Sequence, residues 1–156
     1  MAEVSAHLDM YEPVFTIGVV ARKLDISVQT VRLYQDEGLV LPHRTESGHR
    51  LYSLHDLDRL QCIRRMITEY GMNLQGIKRM FSLSPCWKIK DGPLDDCKTC
   101  PAYFEVAGPC WSLPVVGDKC KDADCRNCKV YRLKLDCSRM KKLLFGNEAP
   151  GTQGED

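Results

Sequence analysis

The cysteines of this chain are concentrated in two similar stretches. "PCWKIKDGPLDDCKTCPAY" at residues 85–103 and "PCWSLPVVGDKCKDADCRNCKVY" at residues 109–131 each contain Cys-Trp, then a CxxC, then a tyrosine three residues later. The second copy has an insertion that carries Cys120. Two thiolates two residues apart can reach one ion, and further cysteines complete the four-fold ligation of a structural zinc or an iron–sulfur cluster.

Eight cysteines are therefore candidate ligands of zinc or an iron–sulfur cluster. They are Cys86, Cys97, Cys100, Cys110, Cys120, Cys125, Cys128 and Cys137. Eight is two sets of four, but the spacing does not say how they divide, nor whether the metal is structural or regulatory. Disulfides are an alternative, and thiol redox catalysis is disfavoured because neither CxxC lies in a strand–helix unit of thioredoxin type.

Composition and charge limit the setting of these thiols. The chain has 156 residues, with 22 basic and 21 acidic side chains, which excludes a strongly cationic coat but not a local basic face. No apolar run approaches the length of a membrane span, and the polar start lacks the order of a secretion signal. We therefore expect a cytoplasmic protein, where closely spaced cysteines more often hold metal than form disulfides.

The cysteine-poor front half has the punctuation of short helices. "FTIGVVARKLDIS" predicts a helix capped by Thr16, and "VQTVRLYQDE" predicts a second one, capped by Ser27 and ended by Gly38. Two helices joined by about three residues form a helix-turn-helix. "LVLPHRTESGHRLYS" then predicts a hairpin or wing. Ser53 is expected to cap a long helix with an apolar stripe including Ile63 and Ile67, and Asn73 is expected to begin a last short helix that ends at Pro85.

Polar side chains occupy the positions that meet DNA in such an arrangement. The candidates on the second helix and the wing are Gln29, Thr30, Arg32, Arg44, His49, Arg50 and Tyr52. A recognition helix reads base edges and a wing contacts phosphate. The alternative is a helical bundle with a solvated basic face that docks a protein partner, in which case the chain is a redox or metal-handling protein.

The stretch from Phe15 to Leu83 resembles the MerR family of winged helix-turn-helix regulators. The resemblance rests on the "TVR" of the second helix, the Glu-Gly-Leu stop and the Gly-x-Arg-x-Tyr wing, and "GMNLQGIKRM" resembles the heat-shock-repressor branch. It implies that Arg32, Arg50 and Tyr52 serve DNA binding. It also implies double-stranded promoter DNA of two-fold symmetry, a homodimer, and action beside RNA polymerase. Leu33 departs from the tyrosine that family members often carry.

The back half departs from that family, because Pro85 prevents the usual long dimerisation helix from following directly. Val130, Leu133, Cys137, Met140 and Leu144 are spaced as an a/d seam, which predicts a C-terminal pairing helix. An amphipathic helix packed on its own cysteine module is the alternative. The double Cys-Trp pattern also resembles a short two-CW module of bacterial signalling proteins.

These observations predict a mainly α protein with two domains. Residues 14–83 form the winged helix-turn-helix domain, residues 85–145 a cysteine-rich module with a C-terminal helix, and residues 1–13 and 146–156 disordered tails. We expect a dimeric transcriptional regulator that is not an enzyme and has no membrane segment. Its cysteine-rich module is expected to bind zinc or an iron–sulfur cluster.

Overall fold

The computed structural model describes residues 9–90, 98–118 and 120–133. The chain folds as two compact units, Met1–Gly71 and Met72–Asp156. Cys97, Cys137 and the predicted helix beyond Leu133 lie outside the described residues. No helix in the described ranges has the length and apolar character to cross a membrane. The predicted mainly helical class is confirmed.

The first unit contains the predicted helix-turn-helix. Helix α1 spans Ile17–Leu24 and helix α2 spans Val28–Asp36. Thr16 occupies the N-cap position of α1, but its side chain makes no capping hydrogen bond, contrary to the prediction. The side chain of Ser27 accepts a hydrogen bond from the Thr30 N–H at 3.0 Å, which caps α2 as predicted. Asp25 adopts the left-handed conformation at φ 53°, so the chain reverses direction within the turn, and Gly38 at φ 73° follows the end of α2.

The wing belongs to a three-stranded antiparallel sheet. Its strands are β1, Phe15–Thr16, β2, His43–Arg44, and β3, Arg50–Tyr52, in the order β1-β3-β2. Gly48, at φ 85°, lies in the turn between β2 and β3. Strand β1 was not expected from the sequence, because two residues carry no alternating pattern. It forms because the extended chain before α1 pairs with β3, Phe15 opposite Tyr52.

Helix α3, Leu54–Thr68, packs behind the helix-turn-helix. Ser53 and Asp56 form a reciprocal capping box, with Ser53 N–H donating to the Asp56 carboxylate at 2.8 Å and Asp56 N–H donating to Ser53 Oγ at 3.2 Å. The buried stripe includes Ile63, as predicted, but continues with Met66 in place of Ile67, which is half-buried.

Two arginines of α3 donate to backbone carbonyls of the helix-turn-helix. Arg59 Nε donates to the Leu39 carbonyl at 2.6 Å, and the Arg64 guanidinium donates to the Leu24 carbonyl. Residues 9–13, expected in a disordered tail, also contact α3: the His55 N–H donates to the Met10 carbonyl at 2.9 Å. The two arginine bonds attach α3 to the C-terminal end of α1 and to the segment that follows α2.

The second unit combines helix α4, Leu74–Ser82, with short turns of the cysteine-rich stretch. Asn73 caps α4 by accepting from the Gly76 N–H at 2.7 Å. The short helices are α5, Cys86–Ile89, α6, Pro101–Phe104, and α7, Lys129–Arg132, together with 3₁₀ turns at Cys110–Ser112 and Cys125–Asn127. Because α4 belongs to this unit, the division between units lies before α4 and not at Pro85.

The start of the predicted C-terminal seam is part of this unit's interior. Val130 is 1% exposed and Tyr131 2% exposed. Helix α7 ends at Arg132, and Leu133 adopts an extended conformation. The predicted helical seam is therefore broken at Leu133, and Val130 packs inside this unit, which confines the predicted pairing segment to the residues after α7. Met140 and Leu144 lie outside the described residues.

We expect Ser53→Ala to lower the free energy of unfolding by about 1 kcal/mol, because it removes one half of the capping box and leaves a backbone donor of α3 without its acceptor. Gln61→Ala, an exposed change in the middle of the same helix, is the matched control and should have little effect. Urea unfolding followed by circular dichroism measures both. Equal stability of the Ser53 variant and the wild type would contradict a stabilising role for the box.

Candidate nucleic-acid interface and cysteine cluster

One face of α2 is exposed and polar. Gln29, Arg32, Leu33 and Asp36 recur at the spacing of a single helical stripe and are all exposed. Thr30 lies beside this stripe, but its hydroxyl shares a 2.9 Å hydrogen bond with Ser27 Oγ and so belongs to the cap. Leu33, 47% exposed, is an apolar member of the polar face. The helix thus presents an amide, a guanidinium, an aliphatic group and, one turn further on, the carboxylate of Asp36.

The wing places two guanidinium groups on neighbouring strands. Arg44 of β2 is paired directly opposite Arg50 of β3. Like charges at opposite positions of an antiparallel pair repel each other, so this register is unfavourable unless an anion lies nearby. His49 is exposed at the wing tip, and its N–H donates to Thr45 Oγ1 at 3.0 Å, which shapes the turn. The wing is therefore a cationic edge.

Tyr52 is not a surface residue. Its side chain is fully buried, and its hydroxyl donates to Gln35 Oε1 at 2.7 Å. Burial raises the pKa of Tyr52, while the nearby cations Arg50 and Arg32 act in the opposite direction. The expectation that Tyr52 contacts DNA is corrected: it joins the wing to α2 and holds Arg50 and Arg32 near one another. Gln35 was not among the predicted site residues, and the sequence indicates its role only by its position one helical turn after Arg32.

The repeat in the sequence has a structural counterpart. Trp87 packs against Tyr103 with ring centroids 4.9 Å apart, and Trp111 packs against Tyr131 at 5.2 Å. Each copy therefore pairs its own tryptophan with the tyrosine that follows its CxxC. Such aromatic pairs supply core to a segment with few large aliphatic residues.

The thiols of the second copy lie close to one another and to Cys86. Burial, followed by repulsion from the thiolates of Cys86, Cys128, Cys125 and Cys120, raises the pKa of Cys110 to about 12. Burial and the neighbouring thiolates Cys128 and Cys120 also raise the pKa of Cys125. None of the seven described cysteines is part of a disulfide bond. The cluster thus consists of Cys86, Cys110, Cys120, Cys125 and Cys128.

Lys90 is the cation of this cluster. Its ammonium donates to Cys120 Sγ at 3.2 Å. Burial opposes the charge, but this bond and the thiolates of Cys128, Cys120 and Cys110 leave the pKa of Lys90 raised. Lys90 was not among the predicted site residues, although it follows the candidate ligand Cys86 by one helical turn.

Cys100 has a different environment. Its sulfur accepts from the Gly117 N–H at 3.1 Å. A Cβ atom at position 117 would lie 3.0 Å from the Cys100 Cβ, which is tighter than an ordinary van der Waals contact, so a larger residue there would require Cys100 to shift.

Within the described ranges, no three histidine, cysteine, aspartate or glutamate side chains are arranged to hold a metal ion. The cluster has the right donor chemistry, but its sulfurs would have to move inward to ligate one.

Comparison with known proteins identifies the first half of the chain. Residues 15–83 match the profile of the MerR HTH family regulatory proteins. The HTH-type transcriptional regulator GlnR of Bacillus anthracis is 37% identical over 91 residues, which cover 56% of this chain and 70% of that protein. A putative heat shock protein HspR of Streptomyces coelicolor is 39% identical over 71 residues, 46% of this chain and 47% of that protein.

The mercuric resistance operon regulatory protein of Bacillus cereus is 40% identical over 70 residues, which cover 44% of this chain and 52% of that protein. The family match ends at residue 83, ahead of both Cys-Trp copies. The family model thus does not cover the cysteine cluster.

The raised pKa of Cys110 predicts slow alkylation in metal-free protein. With a pKa of about 12, only about one thiol in 10,000 is ionised at pH 8, and the thiolate is the reactive form. The rate of Cys110 modification by iodoacetamide should rise about tenfold per pH unit between pH 8 and 11. Mass spectrometry of timed digests measures it, and urea-unfolded protein is the control. A rate that levels off near pH 9 would contradict the raised pKa.

Proposed function

Because this chain belongs to the MerR family of helix-turn-helix regulators, we propose that it binds promoter DNA of two-fold symmetry as a homodimer and carries a metal-dependent cysteine module. Its relatives are transcriptional regulators, and the chain is a DNA-binding regulator rather than an enzyme. Promoter DNA as the target also favours a cytoplasmic location.

The observation that carries the DNA-binding surface is the repulsive pair Arg44 and Arg50 beside Arg32. Arg44 and Arg50 face each other across the wing. Burial raises the pKa of the Tyr52 hydroxyl, and the positive charges of Arg50 and Arg32, which lie near it, act to lower that pKa. A phosphate backbone supplies the anion that offsets this repulsion. In the proposal, α2 enters the major groove with Gln29 and Arg32 at base edges, and the wing residues Arg44, His49 and Arg50 contact phosphate.

The cysteine module supplies the proposed signal. Its clustered thiols favour zinc or an iron–sulfur cluster, which would couple the folding of this small unit to the bound metal. Binding or loss of the metal would then change the geometry of the dimer on DNA. Bending or untwisting of a promoter by such a dimer alters its use by RNA polymerase, which makes polymerase a proposed partner at the promoter.

Arg50→Ala and Arg32→Ala test the DNA-binding surface. Loss of a phosphate contact at Arg50 should weaken binding to all sequences and reduce the salt dependence by about one unit, whereas Arg32→Ala should cost ~1–3 kcal/mol at one base position. Gel-shift titrations on promoter fragments of its own operon at several salt concentrations measure both. Arg65→Ala, an exposed arginine of α3, is the control.

Two results would contradict this surface. Unchanged affinity in both variants would place the DNA contacts elsewhere. An absence of any binding by the wild type would favour the docking alternative.

The homodimer is tested by deletion of residues 134–156, the part of the predicted pairing segment that follows α7. We expect light scattering to show a monomer, and operator affinity to fall by far more than in either arginine variant, because each half-site then binds one chain alone. Phe104→Ser with Val106→Ser, which removes two exposed apolar side chains of the second unit, is the comparison variant. A dimer that survives the deletion but not the double substitution would place the pairing surface on the cysteine module.

A further inference from the structure

The second copy of the repeat contains four cysteines of its own. We infer that Cys110, Cys120, Cys125 and Cys128 form one four-thiolate metal centre within residues 110–128, and that Lys90 is its charge-compensating hydrogen-bond donor. The inference rests on the proposed metal-dependent module and adds to it which cysteines share a centre. It resolves a division that the spacing leaves open.

Two local turns present three of these cysteines, and Cys110 begins the separate 3₁₀ turn Cys110–Ser112. The 3₁₀ turn Cys125–Asn127 brings the CxxC pair together, with the Cys128 N–H donating to the Cys125 carbonyl at 3.1 Å. Asp124 caps this turn by accepting from the Arg126 N–H at 3.0 Å. The segment before it is a second turn, in which the Cys120 N–H donates to the Gly117 carbonyl at 2.9 Å. Both turns are closed by backbone hydrogen bonds.

Helix α7 connects these turns to Lys90. Arg132 of α7 donates from Nε to the Arg126 carbonyl at 3.0 Å and from its guanidinium to Asn127 Oδ1 at 2.6 Å, which holds the CxxC turn against the helix. Helix α7 in turn packs on α5, which ends immediately before Lys90. The packing therefore delivers the ammonium to Cys120 Sγ at 3.2 Å. The neighbouring depression, about 350 Å³, is lined by Lys90, Cys128 and Lys129 among others.

Charge balance gives Lys90 a reason to be there. Four thiolates carry four negative charges, and either Zn²⁺ or a doubly charged [4Fe–4S] core leaves a net charge of about −2 on the centre. An ammonium bonded to one sulfur offsets part of that excess in a partly buried site. A cation so placed lowers the reactivity of a zinc-bound thiolate and raises the reduction potential of a cluster.

The two remaining described cysteines of the repeats are assigned outside this centre. Cys100 is held by the Gly117 amide, on the N-terminal side of the Cys120 turn. Cys86 lies near Cys110 but belongs to the first copy, and the second copy has four thiols without it. The four sulfurs are gathered but not in ligating positions, so binding requires rotation of half-exposed cysteine side chains within preformed turns.

The test uses full-length protein prepared without oxygen, with zinc, iron and acid-labile sulfide measured per chain beside the absorption spectrum. Cys110→Ser, Cys120→Ser, Cys125→Ser and Cys128→Ser should each remove one whole centre, and Cys62→Ser in the first unit should remove none. A triple variant, Cys86→Ser with Cys97→Ser and Cys100→Ser, should keep one centre. Zinc without sulfide identifies a single ion, and iron with sulfide identifies a cluster; either supports the four ligands.

Three results would overturn the assignment: a metal-free wild type, a full metal content in any of the four variants, or loss of every centre in the triple variant while its helical signal persists. If the triple variant does not fold, the single variants still test the assignment. Loss of a metal centre in Cys86→Ser together with full metal content in Cys120→Ser would show that Cys86, and not Cys120, is the ligand.

Lys90 is tested by a readout that mere folding would not change. With a cluster, Lys90→Met should lower the reduction potential in a dithionite titration; with zinc, it should speed alkylation-triggered zinc release several-fold. Lys90→Arg should restore the wild-type value, and Lys129→Met, a lysine lining the same depression, is the control. Wild-type values in Lys90→Met would overturn its role.

Operator binding of the same variants separates this inference from the proposed function. Retained DNA binding with the wrong cysteines contradicts only the ligand assignment. A correctly assigned centre in a protein that binds no DNA contradicts only the proposed function.

Discussion

The hydrogen bond from the buried Tyr52 hydroxyl to Gln35 is the contact on which the arrangement of the helix-turn-helix and the wing depends. A phenol without access to water needs an acceptor, and this one is supplied by α2. Tyr52 also lies on β3, the central strand, which pairs with β1 on one side and β2 on the other. One side chain thus fixes the wing and the preceding extended segment in relation to the recognition helix.

That fixed geometry gives meaning to an otherwise unfavourable arrangement of charge. Arg44 and Arg50 face each other on the wing, where like charges at opposite positions repel each other. Stability alone would not select such a pair, whereas a polyanion stabilises it. Since the chain as a whole is nearly neutral, the cationic character is local to the surface that α2 and the wing present.

The cysteine-rich unit solves a different problem, which is how to fold with little aliphatic core. Its two tryptophan–tyrosine pairs repeat the same contact, and Phe81 of α4 extends the second pair by lying 6.1 Å from Trp111. Val130 and Tyr131 complete the interior. Short turns beside this aromatic core carry the thiols, and one of them, Cys120, accepts a hydrogen bond from Lys90. The thiol cluster therefore lies next to packed aromatic side chains.

The sequence by itself determined the elements whose causes are local. Ser27, Ser53 and Asn73 cap the helices predicted from them, and Gly38 and Gly48 take the positive φ that turns require. These signals act within a few residues, so they can be read along the chain. Arg32, Arg44 and Arg50 were also predicted as candidate DNA contacts, because helix and hairpin periodicity decide which side chains face outward.

Only the tertiary structure decided what depends on distant partners. Tyr52 turned inward because Gln35, 17 residues away, accepts its hydroxyl. Strand β1 exists because β3 has a free edge, and Val130 is interior because α5 covers α7. Lys90 meets Cys120 across 30 residues of chain. No local pattern encodes these contacts, since each one arises from packing of elements that the sequence places far apart.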